Sequence, residues 1–136
     1  MPTDSQVPDG FTPLTDPGAF LELVGPLHER EDGVLGVRVE ERHLNRAGSV
    51  MGGFLATFVD VAFGQAVRRG ADGEAKVATV SLTTDFLRAG PAGAWLEAHT
   101  DLERLGGSLA FADCSVRADG EEIVRARAVF AVRSES

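Results

Sequence analysis

Residues 47–67, AGSVMGGFLATFVDVAFGQAV, contain one charged side chain, Asp60, and this run constrains the fold more than any other part of the chain. Phe54, Leu55, Phe58, Val59, Val61, Ala62, Phe63, Ala66 and Val67 fall on all sides of a helix drawn through it. A helix that is apolar all round has to be covered all round. The run closes in Arg68, Arg69 and Gly70, cations at the negative end of a helix dipole followed by a terminating glycine. A membrane span is the competing home for such a run, but its length is marginal. Four glycines, Gln65 and the central Asp60 also argue against a span, since a carboxylate at a bilayer centre costs roughly 2.5–3.5 kcal/mol. The expectation is a helix buried inside a soluble protein. An ionised carboxylate in such company is costly unless paired or used, which makes Asp60 the first functional candidate.

The rest of the chain supplies a cover for that helix. Residues 1–16, rich in Pro, Asp, Ser and Thr, read as a flexible N-terminal arm, and residues 17–133 as a single domain. Pro17 suits a first helical turn, and Phe20, Leu23, Val24 and Leu27 follow at helical spacing. A first strand is expected over residues 33–42, where Val37 and Val39 alternate with Arg38 and Glu40. After a loop at 43–48 and the apolar helix, period-two alternation marks strands at 77–87, 94–104, 108–117 and 123–132. These are separated by turn signals at Gly90-Pro91-Ala92-Gly93, Gly106-Gly107 and Asp119-Gly120. Four successive strands with short turns imply an antiparallel sheet. Ala98, Ala110, Ala112, Ala126 and Ala128 on one side would let it approach a helix closely. The fold class is therefore α+β, an antiparallel β-sheet curled around a long central helix in a hotdog arrangement.

Composition limits the partners. A net charge of −8 argues against nucleic acid and against an anionic membrane surface. One cysteine, Cys114, excludes an internal disulfide and fits a reducing cytoplasm, and the N-terminus has no signal-peptide pattern. Three scattered histidines (His28, His43 and His99) with that cysteine make no metal site.

The segment His43-Leu44-Asn45-Arg46-Ala47-Gly48-Ser49-Val50-Met51-Gly52-Gly53, followed by Asp60, resembles the motif of PaaI-type hotdog thioesterases. That motif runs H-x-N, then G, then H-G-G, then D further along the helix. The strand around Thr79, the turn at 90–93 and the triplet Gly106-Gly107-Ser108 follow in the family's order, so the resemblance covers about residues 33–132. It implies an acyl-CoA thioesterase with no metal or organic cofactor, coenzyme A being part of the substrate. Asp60 would be the nucleophile or the base that activates water, and Thr79 a hydroxyl that holds the water beside it. A Gly52-Gly53 amide, here assigned to Gly53, would be the oxyanion donor.

The physical chemistry of these positions agrees. Amides at a helix start lack intrahelical acceptors and lie at the positive end of the dipole, suited to a developing oxyanion. Tight packing of the helix start is the plain alternative for the glycines, and a carboxylate satisfied by a neighbouring hydroxyl is the plain alternative for Asp60. Asn45 can donate to the substrate carbonyl or cap the helix. Met51, Phe54 and Ser108 are candidate substrate contacts, Phe54 with Leu55 and Phe58 as walls of an acyl pocket. His43 reads as structural.

Eight residues of helix separate Gly52 from Asp60, about 12 Å of rise, whereas a reacting carbonyl must be within about 3 Å of both donor and attacking group. A second helix, antiparallel across a two-fold axis, removes the conflict. The expectation is a homodimer with composite sites, and the resemblance adds frequent pairing of dimers into a tetramer. Two positions depart from the motif. Met51 stands where the family has histidine, and Gly107 where it often has a basic residue for a coenzyme A phosphate; Arg88, Arg104, Arg125 and Arg127 are the candidate substitutes. These departures keep a second reading open, a non-catalytic hotdog module that binds acyl thioesters.

Overall fold

The computed structural model describes residues 7–70, 75–105 and 108–134. Two helices, α1 (Ala19–Val24) and α2 (Gly52–Gly70), accompany seven strands. The strands are β1 (Phe11–Pro13), β2 (His28–Arg30), β3 (Leu35–Arg38), β4 (Ala75–Phe86), β5 (Trp95–Leu105), β6 (Leu109–Ala118) and β7 (Glu121–Ser134). They form one sheet in the order β1-β2-β3-β5-β6-β7-β4, antiparallel at every pairing. This is the hotdog arrangement expected from the sequence, with α2 against the inner face.

The fit depends on side-chain size. Ala98, Ala110, Ala112, Ala126 and Ala128 are all buried on the inner face, where a larger residue would hold the helix off. Into the space they leave, α2 sends Phe58, Val59, Phe63 and Val67, each fully buried, with Phe54, Leu55 and Ala62 nearly so. Burial of each large side chain is worth roughly 1.5–3 kcal/mol, so this interface is the main store of the fold's stability.

Coverage is one-sided, however, and corrects the expectation of a helix hidden on every face. Gly53 is exposed, and Ala56, Thr57, Asp60, Val61, Gln65 and Ala66 are only half-buried. The sheet curls past one stripe of α2 and ends at β4, an edge strand paired only with β7. Val80 on that strand is 60% exposed.

The N-terminal region departs from its reading as an arm over residues 1–16. Residues 1–6 lie outside the described residues, but Phe11–Pro13 pairs with His28–Arg30. Phe11 is buried edge-on against Trp95, ring centroids 5.1 Å apart, with the Arg30 guanidinium over its ring. Three-residue strands are too short to show an alternation, so neither β1 nor β2 could be read. The first expected strand, 33–42, is in fact Leu35–Arg38 followed by a 3-10 turn at Glu41–His43. Helix α1 stops before Gly25 and Pro26 and does not reach Leu27, which is buried separately. His28 is buried in β2 near Trp95, and burial lowers its pKa. The Gly106-Gly107 turn lies outside the described residues, although β5 and β6 are antiparallel neighbours on either side of it.

Gly36 shows how tightly the small cluster of Phe11, Val34 and Trp95 is built. A Cβ there would stand 2.2 Å from Cζ2 of Trp95, inside the ring's contact radius. Gly36→Ala is expected to lower unfolding free energy by about 1–3 kcal/mol, the usual cost of overpacking. Urea denaturation followed by Trp95 fluorescence measures it, and an unchanged midpoint would contradict the packing described.

Candidate active site

The start of α2 is shaped by the loop before it. Asn45 organises that loop. Its Oδ1 accepts from the amides of Ala47 (2.9 Å) and Ser49 (3.1 Å), and its Nδ2 donates to Ser49 Oγ (3.2 Å). This is an Asx-type turn closed on itself. Asn45 therefore caps no helix; the carbonyl of Met51 begins α2, accepting from the amides of Phe54 (3.0 Å) and Leu55 (3.1 Å).

Between Met51 and Phe54 stand Gly52 and Gly53, and among the described residues neither amide has a backbone acceptor. That is the open donor pair of a helix N-terminus. The two glycines differ in surroundings. A Cβ on Gly52 would touch the Phe86 ring at 3.5 Å, whereas a Cβ on Gly53 would meet nothing within 4 Å. Neither backbone conformation nor packing within the chain calls for glycine at 53, so tight packing does not explain it here.

Asp60 lies two turns along α2, and Thr79 Oγ1 donates to its Oδ1 at 2.6 Å. The carboxylate and hydroxyl line a cleft of about 490 Å³ whose walls include Leu14, Pro17, Leu21, Val61, Gly64, Val77 and Phe130. Leu14, Pro17 and Leu21 come from the region before and within α1. The polar, proline-rich composition there gave no sign that it borders the carboxylate.

A second cleft, about 340 Å³, opens at the other end of β4, lined by Val50, Gly52, Leu55, Phe86, Leu87 and Arg88 among others. The two clefts share no residue. Thr79 and Phe86 are seven residues apart on β4, roughly 23 Å of strand. A single chain thus keeps the carboxylate and the glycine amides apart. A larger cleft, about 590 Å³, is lined by paired charges such as Asp113 and Arg127 and includes neither Asp60 nor the glycine pair.

The other candidates are placed as follows. Met51 is exposed beside the glycines. Phe54 lines neither of the two clefts; it is buried, its ring stacked on His43 with centroids 4.1 Å apart. Ser108 is exposed, its carbonyl accepting from the amide of Val132, which pairs with Val77 near Thr79. It is therefore at the Asp60 end of the sheet. Of the four arginines, Arg125 is held by Glu122 (3.0 Å) and Arg127 by Asp113 (3.1 Å), and the Arg104 side chain lies outside the described part of the structure. Arg88 borders the glycine cleft, its Nε 3.4 Å from Glu121 in an exposed pair. Cys114 is no nucleophile candidate, because burial pushes its thiol up to about 11.

The thioesterase superfamily model matches residues 47–124, more than half of the chain. PA0474 of Pseudomonas aeruginosa, an esterase by name, is 35% identical over 128 residues, covering 91% of this chain and 96% of that one. Two solved structures share the fold. The BH2602 protein of Bacillus halodurans, determined with CoA, superposes with a TM-score of 0.76 at 24% identity over 85% of this chain and 76% of its own. The PaaI protein of E. coli, from the phenylacetic acid degradation operon, gives 0.75 at 22% identity over 89% of this chain and 87% of its own.

The role of Asn45 is separable by substitution. Asn45→Ala leaves the Ala47 and Ser49 amides without their acceptor and is expected to cost about 1–3 kcal/mol of stability. Asn45→Asp keeps the acceptor and should lose far less. Equal destabilisation of the two variants in urea titrations would contradict the loop-organising role.

Proposed function

The chain belongs to the thioesterase superfamily, and on that premise we propose that it hydrolyses an acyl-coenzyme A thioester to the free acid and coenzyme A. The observation that carries this reading is the presence, on one helix, of a cleft-lining carboxylate, Asp60 with the Thr79 hydroxyl on it, and of a Gly53 amide with no backbone acceptor among the described residues. The likeness of the fold to a protein determined with CoA supports the substrate class.

In this proposal a water beside Asp60 and Thr79 gives its proton to the carboxylate as its oxygen attacks the thioester carbonyl carbon. The carbonyl oxygen becomes an oxyanion, held by the Gly53 N–H in line with the helix dipole. The carbon–sulfur bond then breaks, and the departing thiolate takes the proton from Asp60. Direct attack by the carboxylate is the alternative first step. Arg88, beside the Gly52 cleft, is the cation we assign to a coenzyme A phosphate in place of the hairpin basic residue that Gly107 replaces. The free Cys114 thiol fits the cytoplasmic location suggested by the sequence.

The proposed site is shared between two copies. The carboxylate lies by the first half of β4 and the glycine amides by its end, and β4 is the sheet's edge. A two-fold axis near the middle of β4 would pair edge with edge and carry Gly53 of one copy to Asp60 of the other. The half-buried stripe of α2 lies on the same side. Further pairing into a dimer of dimers belongs to this reading as well. The exposed thioether of Met51, where the family has an imidazole, and Gly107, where it often has a basic residue, are the features that favour a non-catalytic acyl-thioester binder instead.

A panel of acyl-CoAs assayed with wild type and Asp60→Asn separates these readings. The expected loss is about 10²–10⁴-fold in kcat, and a wild type no faster than the variant on any acyl group would leave only the binder. Gly53→Pro removes the proposed donor at a position where the first helical turn tolerates proline. It should lower kcat by about 10²–10³-fold, with KM little changed. For the shared site, light scattering should give a dimer or tetramer, and Val80→Asp on the edge strand should give an inactive monomer. A monodisperse, fully active monomer would contradict it.

A further inference from the structure

We infer that His43 is the positioning residue for the oxyanion amides, fixing the Gly52-Gly53 pair from both sides; the catalytic part of this inference rests on the reading above. On the near side, the His43 carbonyl accepts the amide of Met51 at 2.8 Å, and Leu44 bridges to Val50 beside it. On the far side, the His43 ring stacks on Phe54 at 4.1 Å between centroids and 16° between planes. Met51 and Phe54 are the residues immediately before and after the glycine pair. Glycine has the freest backbone of any residue, so two in succession hold an amide direction only if their neighbours are held.

His43 is itself immobilised. Its Nδ1 accepts the amide of Glu40 at 3.0 Å, and its Nε2 meets the carbonyl of Val24 at the end of α1. An acceptor at Nδ1 and a carbonyl at Nε2 select the neutral tautomer that carries its proton on Nε2. The ring is 2% exposed. Both nitrogens are committed to backbone groups, so the imidazole acts only through the geometry it imposes. The same contact ties α1, whose Leu21 borders the Asp60 cleft, to the glycine end of the helix. The contact on the Met51 flank is made by the backbone carbonyl of His43 and that on the Phe54 flank by its ring, so one residue spans the pair.

The test uses His43→Phe, which keeps a stacking ring but loses both nitrogen contacts, and His43→Gln, which restores a donor and an acceptor. His43→Phe is expected to lower kcat about 10–100-fold, the scale of a misplaced catalytic group, with KM within about twofold of wild type; His43→Gln should recover part of that loss. If the effect runs through the amide, the double variant His43→Phe/Gly53→Pro will be no slower than Gly53→Pro alone. Multiplying losses, or a rise in KM with kcat unchanged, would overturn the inference. A readout independent of turnover guards against a destabilised variant and a wrong substrate class. In amide NMR spectra of folded His43→Gln, the Gly52 and Gly53 signals should shift and broaden while that of Cys114 stays in place. Should wild type hydrolyse no thioester, the functional reading falls, and unmoved glycine signals would still refute His43 as the anchor.

Discussion

The packing of α2 on an alanine-lined sheet is the constraint from which the rest follows. Five alanines on three neighbouring strands bring the sheet close enough for Phe58 and Phe63 to be wholly enclosed. A buried aromatic or branched residue contributes roughly 1.5–3 kcal/mol, so the helix has little freedom to slide or rotate. That rigidity fixes two functional positions at once. It sets the Gly52-Gly53 start against Phe86, and it puts Asp60 within hydrogen-bond reach of Thr79. The site is thus a by-product of core packing, with catalytic candidates on the rigid elements and only their supports on loops.

The same packing explains what is left uncovered. A sheet of this curvature wraps one stripe of a helix, and the sequence of α2 is apolar on more than one. Where it stops, β4 offers one row of backbone groups to β7 and the other to whatever lies beyond the edge. An edge strand of 12 residues with Val80 exposed, next to a half-buried helical stripe, is the arrangement that natural proteins cover with another chain. The proposed two-fold would satisfy both needs with one contact and would shorten the separation between Gly53 and Asp60 that a single helix cannot avoid.

The long elements were legible in the sequence because each repeats its period several times. The apolar helix, the four long strands and the alanine face all stand close to where alternation and helical spacing put them. What was not legible depended on single contacts. β1 exists because Phe11 meets Trp95, a pairing of residues far apart in sequence. Phe54 was read as a pocket wall because its residue type suits one, but its helical position turns it onto His43. Asn45 is a candidate donor or cap by residue type; its side chain closes its own loop and caps no helix. At the site, Asp60 and Thr79 were named from the sequence and are in contact. The cleft they share could not be, since Leu14 and Leu21 reach it through the course of the chain rather than through any motif.

Met51 changes what the site can use. With a thioether at that position, an imidazole would have to come from His28, His43 or His99. His28 is buried beside Trp95, His99 is paired with Glu97, and both nitrogens of His43 are bound to backbone groups. The groups lining the two clefts then include the Asp60 carboxylate, the Thr79 hydroxyl, the Gly52 backbone and the Arg88 guanidinium, and no imidazole. Of these, an amide cannot be removed by side-chain substitution, only redirected. A site reduced to such a set depends more heavily on the direction of its amides than one with an imidazole to share the oxyanion. That shifts the burden of precision from the side chain at 51 to the residue that holds its backbone, and the interactions on both flanks of the glycine pair converge on His43.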